Sequence, residues 1–331
     1  MKQRIFVVHH IPEKPLVKLR EEYDVEVWPK KEISVGQLKK KVKGAVAIVG
    51  MLTVKIDKGV MVAAGPQLKV IANYAVGFNN IDVDEATKRG IVVTNTPGVL
   101  TEAVAEHVIA LTLAVSRRVV EGDRFVRAGK YHGWDPDLLI GRSLRGGVMG
   151  IVGLGRIGRW TARLSKAVGM EVMYNSHTRD EEFEVAEEAK YGSLSQVLER
   201  ADVVSVSVPL CEETFHMIGK KELGLMKPTA FLINTARGEV VDEKALIWAL
   251  DKKVIAGAAL DVFEHEQNIS KKLWKYPNVV LTPHIASATG EARLAMASLV
   301  VEGITKTLSG RMPENIVNAD VWSRRTRLEV E

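Results

Sequence analysis

VMGIVGLGRIG, residues 148–158, is the part of the sequence from which the fold can be worked out. Residues 148–152 have the composition of a short buried strand, and the apolar residues after the glycines recur as in a helix. Gly153 permits a tight turn, Gly155 lets a ligand approach the backbone, and Gly158 lets helix and strand pack closely. A strand, glycine turn and helix in this order predict a dinucleotide-binding motif, with the pyrophosphate at the helix N-terminus.

The second strand of this motif, residues 171–174, ends where such a domain contacts the adenosine ribose. NAD-binding domains usually have Asp or Glu there, about 20 residues after the glycines, to bind the ribose hydroxyls. This chain has Asn175 and then Ser176, His177, Thr178 and Arg179. Hydroxyls and an arginine can bind a 2′-phosphate, and this loop has no carboxylate to repel one. The loop therefore favours NADP(H), with NAD(H) possible, although it can also be read as a solvated loop whose arginine faces water.

The composition is that of a globular protein of more than one domain. The chain has 331 residues, which is too long for one typical hydrophobic core. Of these residues 46% are hydrophobic and 26% are charged, as in globular proteins. No apolar run is long enough to span a membrane, and the N-terminal apolar segment is too short for a signal peptide. The single cysteine, Cys211, fits a reducing compartment and is interpreted as an inert thiol. We expect a cytoplasmic protein without membrane contact.

The positive charge raises the question of nucleic-acid binding. The net charge is +5 and the isoelectric point is about 9.1. However, the lysines of residues 30–43 are spread among acidic and apolar residues without interleaved aromatics, which favours a solvated face. The basic tail, with Arg324, Arg325 and Arg327, is interpreted as a frayed end. We therefore expect no nucleic-acid partner.

The first hundred residues alternate short apolar strands with helical stretches, which predicts a separate parallel α/β domain. Ligands in such domains lie at the carboxyl ends of strands. Of the strand ends here, the turn at Val76 and Gly77 is the most suggestive, because its backbone N–H groups could hold a carboxylate. His9 and His10 are interpreted as loop residues, since no second cluster of ligands lies at metal-binding spacing.

A break at Thr96-Pro97-Gly98 is followed by a long apolar helix, residues 101–117, which we interpret as the crossing between the domains. The next segment, residues 129–147, has few periodic apolar residues and includes Tyr131 and Trp134. An extended arm with an exposed tryptophan suggests a subunit contact, and a simple surface loop is the alternative.

Chemically useful side chains follow three later strands. They are Arg237 after strand 230–234, Asp261 to Glu266 after strand 256–260, and His284 after strand 279–282. Each has an ordinary structural interpretation when taken alone. Together they carry more weight, because parallel strands after a dinucleotide-binding turn align their carboxyl ends along one edge.

These motifs together resemble those of the D-isomer-specific 2-hydroxyacid dehydrogenases. The resemblance covers the whole chain and is closest to the glyoxylate/hydroxypyruvate reductases. One departure is Gln267, where the family often has proline. The motifs that carry the resemblance are YAVGFNNID (74–82), GLGRIG (153–158), NTARG (234–238), LDVFEHE (260–266) and PHIAS (283–287).

The resemblance implies two doubly wound parallel-sheet α/β domains. A Rossmann cofactor domain, residues 98–286, is inserted into a flavodoxin-like substrate domain, residues 1–97 and 287–331. The family closes its domains over the substrate and usually forms homodimers through the cofactor domains, so a homodimer is expected here.

The resemblance also implies roles for the site residues. Arg237 binds the substrate carboxylate and carbonyl oxygen, helped by the amides of Val76 and Gly77 and by the loop at Leu52. His284 donates the proton, and Glu266 orients its imidazole. The candidate cofactor contacts are Thr101, Gly153, Leu154, Gly155, Arg156, Ile157, Gly158, Ser176, His177, Thr178, Arg179, Pro209, Thr235, Ala236, Asp261 and Ala286.

The expected activity is NADPH-dependent reduction of a small 2-oxo acid, with glyoxylate and hydroxypyruvate first. The apolar loop 50–53 argues against a phosphorylated substrate, Glu266 against a formate dehydrogenase, and Val76, where a phosphite oxidiser has lysine, against phosphite oxidation. Two alternatives stay open: a dehydrogenase for another 2-hydroxy acid, and an NAD(H)-binding regulatory scaffold of the same fold.

Overall fold

The computed structural model describes residues 2–323, so Arg324, Arg325 and Arg327 of the basic tail lie outside the described residues. The chain forms two compact units. The first unit contains residues 2–100 and 288–323, and the second contains residues 101–287, where the sequence analysis placed the boundaries at 97/98 and 286/287. No helix within residues 2–323 is long and apolar enough to cross a membrane.

The first unit is built on a parallel sheet of five strands in the order β2-β1-β3-β4-β5, which is the flavodoxin-like order. Its strands are Arg4–Val7 (β1), Asp24–Val27 (β2), Ala45–Gly50 (β3), Val70–Asn73 (β4) and Val92–Thr94 (β5). The helices that connect them are Glu13–Glu22 (α1), Val35–Lys41 (α2), Lys58–Ala64 (α3) and Val83–Lys88 (α4).

Local signals in the sequence explain these elements. Every residue of β3 is buried, which is why its sequence, AVAIVG, is a continuous apolar run rather than an alternating one. Ser34 and Gln37 form a capping box at the start of α2. Asp57 and Asp82 cap α3 and α4 with their side chains.

The second unit is built on a parallel sheet of seven strands in the order β12-β11-β10-β9-β6-β7-β8. Its strands are Val148–Val152 (β6), Glu171–Asn175 (β7), Lys190–Tyr191 (β8), Val203–Val206 (β9), Phe231–Asn234 (β10), Gly257–Leu260 (β11) and Val279–Leu281 (β12). Its helices are Thr101–Ser116 (α5), Val119–Arg127 (α6), Arg156–Ala167 (α7), Glu181–Glu187 (α8), Leu194–Arg200 (α9), Lys220–Leu225 (α10) and Glu243–Asp251 (α11).

The order of the large sheet is that of a Rossmann fold with one added strand. The direction of winding reverses between β6 and β9, which is where such sheets bind dinucleotides. The strands β10, β11 and β12 are neighbours in register, so the loops after them emerge side by side at the carboxyl edge. The predicted class, two doubly wound parallel α/β domains, is confirmed.

The chain then returns to the first unit through a long helix, Gly290–Leu308 (α12), which packs on α1 and β4. After it, Ile316 pairs with Thr94 in antiparallel fashion, and Val317 N–H donates to Val93 O. The side chain of Asn318 accepts from Val93 N–H and donates to Ile91 O. These bonds tie the returning segment to the last strand of the small sheet.

Three elements of the second unit are not predicted individually from the sequence. Arg118, with φ of 55°, breaks the long crossing helix and starts α6. The short helix α8 and the two-residue strand β8 follow residues 176–179, the predicted ribose-binding loop, which is called the ribose loop below. Strand β9 ends at Val206, although Ser207 N–H still bonds to Val152 O.

Candidate active site

The glycine turn lies between β6 and α7 at the point where the winding of the sheet reverses. Gly153 has φ of 101°, and a Cβ built on it would lie 2.7 Å from Ser207 O. A Cβ on Gly158 would lie 2.2 Å from Gly153 O, so only glycine lets the helix start this close to the strand. Apart from Gly155 itself and its chain neighbours, no heavy atom of residues 2–323 comes within 4 Å of a Cβ built at Gly155, the N-cap of α7. The turn thus presents open backbone and the N-terminus of a 12-residue helix to an anion.

The ribose loop after β7 holds its arginine in an ion pair. Arg179 donates from Nε and Nη2 to the two oxygens of Glu184, at 2.8 and 2.9 Å. Glu184 also accepts from the hydroxyl of Tyr174 at 2.9 Å. Glu184 raises the pKa of Arg179, which stays charged. Ser176 is half-buried, whereas His177, Thr178 and Arg179 are exposed.

The loop after β10 carries Arg237. Asn234, which is 1% exposed, accepts from Ala236 N–H at 3.0 Å and donates to Arg237 O at 2.9 Å. The guanidinium donates from Nη1 to Ala236 O at 2.7 Å. Burial lowers the pKa of Arg237, and the carboxylates of Glu266 and Glu239 oppose that shift. An arginine remains charged under these conditions and is suited to gripping a carboxylate.

Backbone packing joins this loop to the one after β11. A Cβ on Gly238 would lie 1.9 Å from the carbonyl carbon of Phe263 and 2.3 Å from Glu264 N. Only a glycine allows the two main chains to come this close. The contact fixes Arg237 relative to the segment that carries Glu266.

The loop after β12 carries His284, whose Nδ1 lies 2.7 Å from Glu266 Oε1. Because a carboxylate only accepts hydrogen bonds, the proton between them belongs to Nδ1, and Nε2 is left for another partner. The imidazole and the carboxylate are 28% and 39% exposed, so the pair is open to small molecules. The structure brings Arg237, Glu266 and His284, the three predicted catalytic residues, to one edge of one sheet.

The side chain of Asp261 binds the backbone of the loop that carries His284. Its Oδ1 accepts from Thr282 Oγ1 at 2.6 Å and from Ile285 N–H at 2.8 Å, and its Oδ2 accepts from Ala286 N–H at 2.8 Å. Burial raises the pKa of Asp261, but hydrogen bonds from His107, Thr282 and the two amides outweigh it and lower the pKa. The side chain is fully buried and stays ionised. Its direct contact with a cofactor stays a prediction.

The remaining predicted cofactor residues of the second unit lie at helix starts and strand ends. Thr101 is the first residue of α5 and is buried, and Pro209 is exposed after β9. Thr235 is half-buried beside Ala236. Of the motif residues, Leu154 is buried, and Arg156 and Ile157 open helix α7.

The predicted carboxylate turn lies in the first unit, after β4. Asn73 donates to Gly77 O at 2.8 Å, and Asn95 donates to Val76 O at 2.8 Å. Within residues 2–323, neither the Val76 nor the Gly77 N–H has a hydrogen-bond acceptor. The carbonyl oxygens of Val76 and Gly77 are therefore bound by asparagine side chains, and their N–H groups stay available to an anion.

Four polar residues that shape these loops were missed by the sequence analysis. Asn73 and Asn80 pair their side-chain amides with each other, and Asn80 also donates to Met51 O in the loop that carries Leu52. Asn234 organises the arginine loop, and Thr282 links its hydroxyl to Asp261. For Asn73, Asn234 and Thr282 the signal in the sequence is a polar residue at the end of an apolar strand.

A Rossmann-type sheet with a glycine turn and an Arg–Glu–His cluster at its carboxyl edge defines a dinucleotide-binding oxidoreductase. Residues 109–286 match the family model of the D-isomer specific 2-hydroxyacid dehydrogenase, NAD binding domain. The chain belongs to this family and is an NAD(P)-dependent oxidoreductase.

Relatives match over almost the whole length. The chain is 49% identical to glyoxylate reductases of Thermococcus litoralis and Pyrococcus furiosus, over 97% of this chain and 98% and 97% of theirs. Among solved structures, it is similar to the TT0316 protein of Thermus thermophilus, with a TM-score of 0.90, 43% identity and coverage of 95% and 99%. It is also similar to the NADPH-dependent glyoxylate/hydroxypyruvate reductase of Sinorhizobium meliloti in complex with NADP and malonate, with a TM-score of 0.84, 34% identity and coverage of 96% and 97%.

Proposed function

We propose that this protein reduces a small 2-oxo acid, glyoxylate or hydroxypyruvate, to the corresponding 2-hydroxy acid with NADPH. The observation that carries the proposal is the His284–Glu266 pair beside Arg237, on the sheet edge where the dinucleotide turn also lies. The names of the relatives, glyoxylate reductase and glyoxylate/hydroxypyruvate reductase, support the same substrate class.

The side chains supply what a 2-oxo acid requires. Arg237 binds the carboxylate and polarises the carbonyl oxygen, since its planar fork has several donors in one plane. His284 gives its Nε2 proton to that oxygen as it becomes a hydroxyl. Glu266 accepts the Nδ1–H of the imidazole and so holds the ring in place. The amides of Val76 and Gly77 offer further donors to a carboxylate.

The residues present fit a nicotinamide dinucleotide. The open turn at Gly155 and the N-terminus of α7, with Leu154, Arg156 and Ile157, would hold the pyrophosphate. Bound NADPH supplies the hydride that reaches the substrate carbon. Thr101, Pro209, Thr235, Ala236, Asp261 and Ala286 are proposed to complete its binding site.

We assign the 2′-phosphate to Ser176, His177, Thr178 and Arg179. The support is a charged arginine and two hydroxyls in a loop that lacks the usual ribose-binding acid. The Nε and Nη2 of Arg179 already donate to Glu184. A phosphate would therefore share or replace that partner, which makes Glu184 part of the cofactor preference.

We further propose a homodimer formed by the second unit. No residue of α6 is buried, and its Val119 and Val126 are exposed beside a segment in which Trp134 is 84% exposed. Exposed apolar side chains of this kind are typical of a subunit contact. Val126→Glu should convert a dimer to a monomer in sedimentation experiments, whereas Val185→Glu, on the exposed face of α8, should not. A wild-type monomer at micromolar concentration would exclude the dimer.

The function is tested by initial rates with glyoxylate and with hydroxypyruvate, each with NADPH and with NADH, followed by loss of reduced-cofactor absorbance. We expect turnover of both acids and a higher kcat/KM for NADPH. A higher kcat/KM for NADH would keep the reaction and reject the 2′-phosphate assignment. Cofactor binding without turnover of either acid would reject the proposed substrates.

A further inference from the structure

One half-buried imidazole near the site has no role in hydride transfer. His107 lies on α5, nearly two turns after its start, and α5 packs against β10, β11 and β12. Its Nε2 is 3.2 Å from Thr282 Oγ1 and 3.5 Å from Asp261 Oδ1. The imidazole is 18% exposed, and the carboxylate beside it is completely buried.

The number of protons available determines which group donates in each of these hydrogen bonds. The hydroxyl of Thr282 gives its only proton to Asp261 Oδ1, at 2.6 Å. It can therefore only accept from His107, whose Nε2 must carry a proton. A chain of donors thus runs from His107 through Thr282 to Asp261, and each bond polarises the next in this largely buried setting.

The end of this chain is the backbone of the proton donor. Asp261 binds the amides of Ile285 and Ala286 through its carboxylate and the amide of His284 through its backbone oxygen, at 2.9 Å. His284 has φ of 55°, in the left-handed region that non-glycine residues seldom adopt. The bonds to Asp261 hold the backbone at His284 and at the two residues after it.

We infer that His107 is a positioning residue for the proposed reaction: through Thr282 and Asp261 it holds the loop that aims His284. Only the expected effect on kcat rests on the proposed function. A misplacement of about 1 Å can cost about a hundredfold in rate, and partial loosening of the loop should cost about tenfold.

Glutamine and asparagine at position 107 give a matched test, because both side chains end in an amide and differ only in length. The side-chain amide introduced by His107→Gln can replace the ring nitrogen that donates to Thr282, whereas the amide introduced by His107→Asn is one methylene shorter and does not reach it. We expect kcat with glyoxylate to fall about tenfold in His107→Asn and to stay within about threefold in His107→Gln. The Kd for NADPH should change less than kcat does, by no more than about threefold, because the glycine turn and the N-terminus of α7 lie outside this loop.

Thr112→Val is the control for simple destabilisation. Thr112 is a buried polar residue of the same helix, and within the described part of the chain its hydroxyl bonds only to Val108 O. This variant should keep the wild-type kcat. Equal kcat in His107→Asn and His107→Gln, or the same loss in Thr112→Val, would overturn the inference.

A spectroscopic readout separates this inference from the proposed function. Histidine labelled with 13C at Cε1 gives one resonance for each imidazole, and comparison with His284→Gln assigns that of His284. The His284 resonance should move in His107→Asn and stay in place in His107→Gln and Thr112→Val. An unmoved resonance in His107→Asn would reject the positioning role even if the wild type reduced no 2-oxo acid.

Discussion

The Nδ1 of His284 lies 2.7 Å from Oε1 of Glu266, and the two residues reach each other from the loops after neighbouring strands, β12 and β11. The two residues are 18 positions apart in the sequence, and two sets of backbone contacts position them. Gly238 packs against Phe263 and Glu264, and Asp261 binds the amides after His284. The geometry of the pair is therefore held by neighbouring backbone contacts and by the carboxylate of Asp261.

Removing the proposed proton donor, His284, should lower turnover strongly and leave the proposed cofactor site intact. His284→Ala takes away the group that protonates the carbonyl oxygen, and a placed general acid is worth about 100- to 10,000-fold in rate. We expect kcat with glyoxylate to fall within that range. The Kd for NADPH, from fluorescence titration, should change less than about threefold because the glycine turn is untouched. Unchanged turnover would show that another group delivers the proton.

Neutralising the carboxylate partner should have a smaller effect. Glu266→Gln keeps an oxygen that can accept from His284 Nδ1, so the ring stays oriented, but it replaces the charge-assisted hydrogen bond by a weaker neutral one. We expect kcat to fall about tenfold, which is less than in His284→Ala. Glu264→Gln, in the same loop, is the control for loss of an acid that bonds to His216 instead. Equal losses in the two glutamine variants would contradict a specific role for Glu266.

The sequence is sufficient to predict the sheets and the site motifs, because buried parallel strands are continuous apolar runs and glycine turns have fixed spacing. It is not sufficient to predict that Arg179 is paired. Its partner Glu184 lies on α8, a seven-residue helix rich in acids, which has no strong periodic signal. The residue that decides the charge at the ribose loop therefore becomes visible only in the structure.

The role proposed for His107 cannot be predicted from the sequence either. A histidine in an apolar helix is consistent with many environments, and its partners Asp261 and Thr282 are distant in the sequence. The sequence predicts Asp261 only as a cofactor contact. Its part in holding the loop follows from the two amides whose hydrogen bonds it accepts. Long-range register between α5 and the sheet determines these contacts, and no local pattern encodes it.

Replacing the buried carboxylate of Asp261 should lower the free energy of unfolding by an amount that depends on pH. Because the hydrogen bonds lower the pKa of Asp261 below the unfolded value of about 3.9, its contribution is complete above that pH and is lost as the pH falls through the folded-state pKa. Asp261→Asn should lower the free energy of unfolding by about 3 kcal/mol at about pH 7. In urea titrations the gap between the two proteins should narrow below about pH 4. A gap that stayed constant down to about pH 3 would contradict an ionised, loop-holding Asp261.

The ion pair at the ribose loop predicts opposite effects of two substitutions on cofactor choice. Arg179→Ala removes the charge assigned to the 2′-phosphate, so kcat/KM for NADPH should fall about 10- to 100-fold while that for NADH stays nearly constant. Glu184→Gln removes the carboxylate that competes with the phosphate for the guanidinium, so KM for NADPH should fall a few-fold. Arg163→Ala is the control, since Arg163 forms a similar exposed pair with Glu187 at 2.7 Å. If Arg179→Ala lowered kcat/KM equally for both cofactors, Arg179 would act on the loop as a whole and the assignment to the 2′-phosphate would be wrong.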